Sequence, residues 1–137
     1  MGSYVRIALA AEAYAVPVER VLEVAELGQV RCVPGARPEL LGVSNLRGQI
    51  LPVVDLAALL GAARVAPPRR LLVAEANGFQ VGFAVDEVSG IGGLPEPGEP
   101  TSDTGPDFLL GSTLSDGELV GVVDVPGVFG SLVGTAQ

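Results

Sequence analysis

The sequence predicts an all-β protein made of two small β-barrels side by side. Three observations carry this: Val-rich runs cut by Gly and Pro, hairpin signals at Asn77-Gly78 and Asp116-Gly117 beside a third turn at Arg47-Gly48, and an internal repeat. The 137 residues are 48% apolar, which is ample material for a core in one compact domain or two small subdomains. Six aromatics (2 Tyr, 4 Phe) with 19 Gly and 11 Pro favour strands and turns over long helices.

Residues 4–10 alternate, with Val5, Ile7 and Leu9 on one face, and read as a half-buried strand. Residues 14–25 allow either a strand (Val16, Val18, Arg20, Leu22 and Val24 alternating) or a helix (Val18, Val21, Leu22 and Ala25 on one stripe). Residues 29–33 read as a short strand ending at Pro34. The runs 41–46 and 49–54 form a hairpin about Arg47-Gly48, where Gly48 supplies the positive φ of the turn. Pro52 lacks a ladder donor and is expected at an edge or bulge. Asp55 is placed to cap a short helix over 56–60, closed by Gly61.

Residues 62–68 break the pattern and read as a linker, the expected repeat boundary. Strands follow at 70–76 and 79–86 around Asn77-Gly78. Then come an apolar, Gly-rich stretch at 87–94 and a polar surface loop over 95–107. A final hairpin spans 108–123 with its turn at Asp116-Gly117, and Asp124 caps a short C-terminal helix.

A shift of 69 residues carries Gly42 onto Gly111, Gly48 onto Gly117, Val54-Asp55 onto Val123-Asp124, and Gly61 onto Gly130. A shift of 67 carries Val18, Glu19, Val21 and Val24 onto Val85, Asp86, Val88 and Ile91. Both copies read as hairpin, Val-Val-Asp, then a short helix ended by glycine. Small sheets of this kind are stable when curled into barrels packed on a neighbour, so duplication implies two barrels of about 65 residues each, within the single domain 1–137. Terminal strands are free to cross between them.

Charge and composition exclude several functions. The net charge is -8, and all eight cations are Arg; Arg69-Arg70 is the longest cationic cluster, too small for a nucleic-acid footprint. No segment is long and apolar enough for a membrane span, and the N-terminus lacks a signal-peptide layout, so a cytoplasmic protein without membrane insertion is expected. Cys32, the single cysteine, lies in an apolar run and reads as a small buried hydrophobe. There is no His, no Lys for a phosphate loop and no Gly-x-Ser-x-Gly, so no catalytic residue, metal site or cofactor is expected. Asp86 and Glu87 are adjacent on a strand and point to opposite faces; Asp103 and Asp107 sit in a polar loop; Asp55 and Asp124 read as helix caps.

The segment 41–61, LGVSNLRGQILPVVDLAALLG, resembles the signature of the CheW family of chemotaxis coupling proteins, here as Gly42-Val43-Ser44-Asn45-Leu46-Arg47-Gly48-Gln49-Ile50-Leu51-Pro52-Val53-Val54-Asp55-Leu56. Val16-Pro17-Val18, Val33-Pro34, Val85-Asp86-Glu87-Val88, Leu110-Gly111 and Val122-Val123-Asp124 follow the family in order, so the resemblance covers essentially the whole chain. It implies two SH3-like five-stranded barrels about a shared apolar core and no enzymatic activity. It also implies an adaptor role between the cytoplasmic tips of methyl-accepting chemoreceptors and the regulatory domain of the histidine kinase CheA, at membrane-associated arrays. The adaptor is expected to be monomeric on its own.

Carried over by position, the resemblance places Val21, Glu23, Gly42 and Arg47 in a receptor groove between the barrels, with Val43, Leu46 and Val88 as apolar neighbours. Such a groove suits helix-in-groove recognition. Arg47 has a second reading, as a solvent-facing turn residue or a salt-bridge partner of a nearby carboxylate. Gly48, Asp55, Gly117 and Asp124 are expected to shape turns and caps. Ser44 stands where the family usually has Ile, Val or Thr, and Ala57-Ala58 replace basic residues; these departures bear on which array the protein serves. A diverged module of a non-flagellar array and a small-ligand β-barrel are the competing readings.

Overall fold

The computed structural model describes residues 2–62, 66–95, 97–98 and 108–134. Among these residues, ten strands form two five-stranded sheets, each curled into a small SH3-like barrel. The first sheet has the order β8-β1-β2-β10-β9, from β1 (Gly2–Leu9), β2 (Glu12–Pro17), β8 (Glu87–Leu94), β9 (Leu109–Ser115) and β10 (Glu118–Val123). The second has the order β3-β6-β7-β5-β4, from β3 (Val21–Glu26), β4 (Leu40–Leu46), β5 (Gln49–Asp55), β6 (Arg70–Ala76) and β7 (Phe79–Val85). Short helices α1 (Leu56–Leu59) and α2 (Val125–Gly134) follow the two corresponding hairpins.

The repeat in the sequence has a structural counterpart. In sheet order, β3, β6, β7, β5 and β4 correspond to β8, β1, β2, β10 and β9. Leu40 pairs with Val54 and Gly42 with Val53, which leaves Leu41 as a bulge; Leu109 pairs with Val123 and Gly111 with Val122, which leaves Leu110. β5 runs parallel to β7, and β10 runs parallel to β2. The N-terminal hairpin therefore fills in the first barrel the place that β6 and β7 fill in the second.

The chain changes barrel at a single 3-10 turn, Val18–Arg20, and again at Asp86. The stretch 62–68 does not separate the barrels, because β5 before it and β6 after it lie in the same sheet. A linker composition marks a surface connection; it does not reveal which strands pair across it.

Many strands are apolar on both faces because both faces are buried. Leu51, Val53, Leu71, Val73 and Ala84 fill the second barrel, and Tyr4, Ala15, Leu94, Val120 and Val122 fill the first. The alternate residues, including Val5, Ile7, Val16, Val54, Leu72, Ala74, Phe83, Val85 and Val123, form one shared core between the barrels, closed by Leu56 of α1 and Val125, Val128 and Phe129 of α2. Phe83 and Phe129 meet edge to face with ring centroids 6.3 Å apart. The period of two survives, but both of its phases read as hydrophobic.

Turn chemistry follows the sequence. Arg47 and Gly48 (φ 50° and 86°), Asn77 and Gly78 (54° and 83°), and Asp116 and Gly117 (52° and 78°) are left-handed pairs that suit two-residue hairpins. The Asp55 carboxylate accepts from the Ala58 N–H, and the Asp124 carboxylate from the Gly127 N–H, both at 3.2 Å, as N-caps. Gly61, at φ 76°, follows the α1 cap. β5 is internal to its sheet, yet the β7 ladder begins only at Val53, so the strand is still one-sided at Pro52.

Two open readings are decided and three sequence expectations change. Residues 14–25 are strand, 3-10 turn and strand; the helical stripe is not used. Residues 29–33 form no strand: Arg31 alone bridges Val43, in the loop 27–39. Cys32 is consequently exposed, because no second layer covers that loop. Residues 87–94 are a full strand, and α2 continues through Gly130 to Gly134, with no positive φ at Gly130 to end it. Most of the loop over 95–107 lies outside the described residues.

Candidate interaction site

An open groove of about 460 Å³ runs along the seam between the barrels. One wall is β3, through Val21, Leu22, Glu23 and Val24; the other is β8, through Val88, Ser89, Gly90 and Ile91; Val5 and Val18 complete it. The walls are edge strands of different sheets, and the repeat makes them equivalents: Val21 corresponds to Val88 and Val24 to Ile91. β3 alternates between half-buried residues (Val21, Glu23, Ala25) and exposed ones (Leu22, Val24, Glu26). Leu22 is 49% exposed, Val24 44% and Ile91 72%, so the groove offers apolar surface that the chain itself does not cover.

Among the described residues, Glu23 is the one ionisable side chain lining the groove. Its carboxylate pairs with the guanidinium of Arg47, which projects from the β4–β5 turn. The Ser89 hydroxyl donates to the Arg6 carbonyl at 3.4 Å. The arrangement can bury an apolar helix face and orient it against one charged pair. It holds no convergent set of acids and bases, and among the described residues no group of His, Cys, Asp or Glu is placed to hold a metal ion.

The structure brings Val21, Glu23 and Val88 together in the groove, with Arg47 at its lip. It places Gly42, Val43 and Leu46 elsewhere. Gly42 is buried on β4 at φ 146°, and a Cβ there would lie 2.0 Å from the Arg31 carbonyl oxygen. Val43 exchanges both backbone hydrogen bonds with Arg31 (2.8 and 2.9 Å), and Leu46 packs on the second barrel's own core. These three shape the hairpin and hold the 27–39 loop against it. The Ser44 hydroxyl helps, donating to the Gln29 carbonyl at 3.1 Å. Asp86 and Glu87 serve separately, the first accepting from the Ala10 N–H, the second facing Arg69 and Arg70.

Leu22, Val24, Ser89, Gly90 and Ile91 were not singled out by sequence reasoning. The signal was present in the 67-residue shift, which aligns Val21 and Val24 with Val88 and Ile91. Only the packing of β3 opposite β8 turns that alignment into two walls of one site.

Two five-stranded barrels with a shared core and an apolar groove at their seam define a two-barrel protein-docking module. Residues 3–133 match the model of the CheW-like domain, and the chain belongs to that family, the scaffold proteins of chemosensory systems. Among its relatives are Protein FrzA of Myxococcus xanthus, 35% identical over 82% of this chain and 68% of that protein, and Chemotaxis protein CheW of Rhizobium meliloti, 36% identical over 72% and 68%. The crystal structure of scaffolding protein TtCheW from Thermoanaerobacter tengcongensis superposes with a TM-score of 0.79 at 26% identity, covering 89% of this chain and 88% of that one. No described helix is long and apolar enough to cross a membrane.

Proposed function

We propose that this chain is a non-enzymatic adaptor that couples the cytoplasmic tips of methyl-accepting chemoreceptors to the regulatory domain of the histidine kinase CheA. It acts as a monomer at membrane-associated arrays. The observation that carries the reading is the uncovered apolar groove between β3 and β8, whose apolar lining and single charged pair suit the apolar face of a receptor helix. Kinase docking is assigned to the barrel ends. There Ile50 and Phe79 on the second barrel are 61% and 63% exposed, and the cross-strand pair Leu114 and Leu119 on the first are 62% and 64% exposed.

The test is calorimetric binding of two partners from the same genome, a receptor tip fragment and a CheA regulatory domain. Val24→Asp and Ile91→Asp should each weaken receptor binding about tenfold or more and leave kinase binding intact. Ile50→Asp should do the reverse. If the wild-type chain binds neither fragment, the adaptor reading fails.

The similarity to FrzA, as close as that to the CheW proteins, favours a second reading in which the module serves an alternative chemosensory array. Which receptor and kinase fragments the purified chain captures, flagellar or otherwise, separates the two.

A further inference from the structure

The walls of the groove belong to different sheets, so no β-ladder sets the gap between them. The chain holds them where it crosses over. Asp86 is the single residue between the end of β7 at Val85 and the start of β8 at Glu87. Its N–H donates to the Ala8 carbonyl of β1 at 3.1 Å. Its carboxylate accepts from the Ala10 N–H, in the β1–β2 turn, at 2.7 Å. Both contacts bind the crossover to the first barrel.

The next residue faces the second barrel. The Glu87 carboxylate lies 3.9 Å from Arg69 and 3.6 Å from Arg70, at the start of β6. Arg70 also faces Glu26, at the end of β3, at 3.8 Å. The Arg69 N–H donates to the Val85 carbonyl at 3.0 Å, and the Arg69 carbonyl accepts from the Leu27 N–H at 3.2 Å. A continuous set of contacts thus runs from the end of the β3 wall, through Arg69 and Arg70, to the start of the β8 wall and on to the β1–β2 turn.

That turn needs an external hold. Ala10 and Ala11 are left-handed, at φ 52° and 70°, where the equivalent turn of the second barrel has Asn77-Gly78. Alanine adopts this conformation only under strain.

We infer that Asp86 is a positioning residue whose carboxylate, through the Ala10 N–H, sets the gap between β3 and β8 and so the fit of the groove to its helical partner; the second clause rests on the groove reading above. Asn at 86 keeps a side-chain oxygen acceptor at the same reach, and Ser does not.

The gap is read as a spin-label distance between Val24→Cys and Ile91→Cys in a Cys32→Ser background, for the wild type, Asp86→Asn and Asp86→Ser. Affinity for the receptor tip fragment is measured on the unlabelled chains. Asp86→Asn should keep both distance and affinity. Asp86→Ser should shift or broaden the distance distribution and weaken binding about tenfold. Glu87→Gln, which cuts the contacts to Arg69 and Arg70 at an exposed site, is the second variant and should move the same distance by less. An unchanged distribution in Asp86→Ser, or in Glu87→Gln where Asp86→Ser does not fold, overturns the inference. Absence of receptor binding by the wild type would overturn the groove reading instead, and the distance measurement would still decide the role of Asp86.

Discussion

Arg47, at the tip of the β4–β5 turn, forms an ion pair with Glu23 on β3. β3 and β4 are the opposite edges of the second sheet, so the pair reaches across the open side of that barrel, at the lip of the groove. The side chains are 68% and 33% exposed, and a pair so solvated contributes at most about 1 kcal/mol to stability. Arg47→Ala should therefore change urea-unfolding stability by less than about 1 kcal/mol. Arg47→Glu, which sets two carboxylates against each other at the lip, should weaken receptor binding while circular dichroism stays unchanged. A loss above about 2 kcal/mol in Arg47→Ala would make the residue structural.

Gly42 and Gly48 share positive φ but differ in surroundings. A Cβ at Gly42 would meet the Arg31 carbonyl oxygen at 2.0 Å, whereas nothing lies within 4 Å of one at Gly48. Gly42→Ala combines backbone strain with a clash against backbone and should cost more than about 2 kcal/mol. Gly48→Ala should cost about 1 kcal/mol, from strain alone. Thermal melts of the two variants compare them directly; equal shifts would mean that the 27–39 loop yields freely.

The left-handed Ala10-Ala11 turn is stored strain. Replacing the pair by Asn-Gly should raise stability by about 1–2 kcal/mol, since the hairpin geometry and the Ala10 N–H contact are both retained. Denaturant midpoints provide the check, and a lower midpoint in the Asn-Gly variant would show that the alanines pack in a way Asn cannot.

Tyr14 sits partly buried, and its hydroxyl donates to Glu12 at 3.2 Å. Burial first, then the Glu12 charge and the hydrogen bond, push its ionisation up from 10.0 to about 12. The unfolded chain loses this proton near pH 10 and the folded chain holds it longer. Stability should therefore be independent of Tyr14 below pH 10 and fall as pH rises from 10 towards 12. Tyr14→Phe should remove that part of the alkaline fall, and its ultraviolet titration should lack the late phenolate transition of the wild type.

Three of the hairpins, the caps and the repeat were legible because local chemistry or a fixed spacing determines them; the β1–β2 hairpin, with alanines at its tip, was not. A left-handed turn favours Gly or Asn near its tip, as at Gly48, Asn77-Gly78 and Gly117, and Asp55 and Asp124 act within three residues of themselves. The short strand expected over 29–33, with Cys32 buried in it, was not legible as a loop. Its apolar residues satisfy the strand pattern, yet only Arg31 finds a partner. Gly42 reads the same whether it admits a partner or, as here, lies beneath its own chain's Arg31 carbonyl.

By itself the sequence determined most of the strands, three of the hairpin turns, the two aspartate caps and the duplication, since each depends on residues close along the chain or on a fixed spacing between copies. Tertiary structure alone decided that β1 and β2 complete the barrel of β8, β9 and β10, and that β3 and β8 face each other across a groove. Strand pairing over such separations depends on which apolar faces can be buried together, and with both faces of most strands hydrophobic, the pattern of residues does not specify the partner.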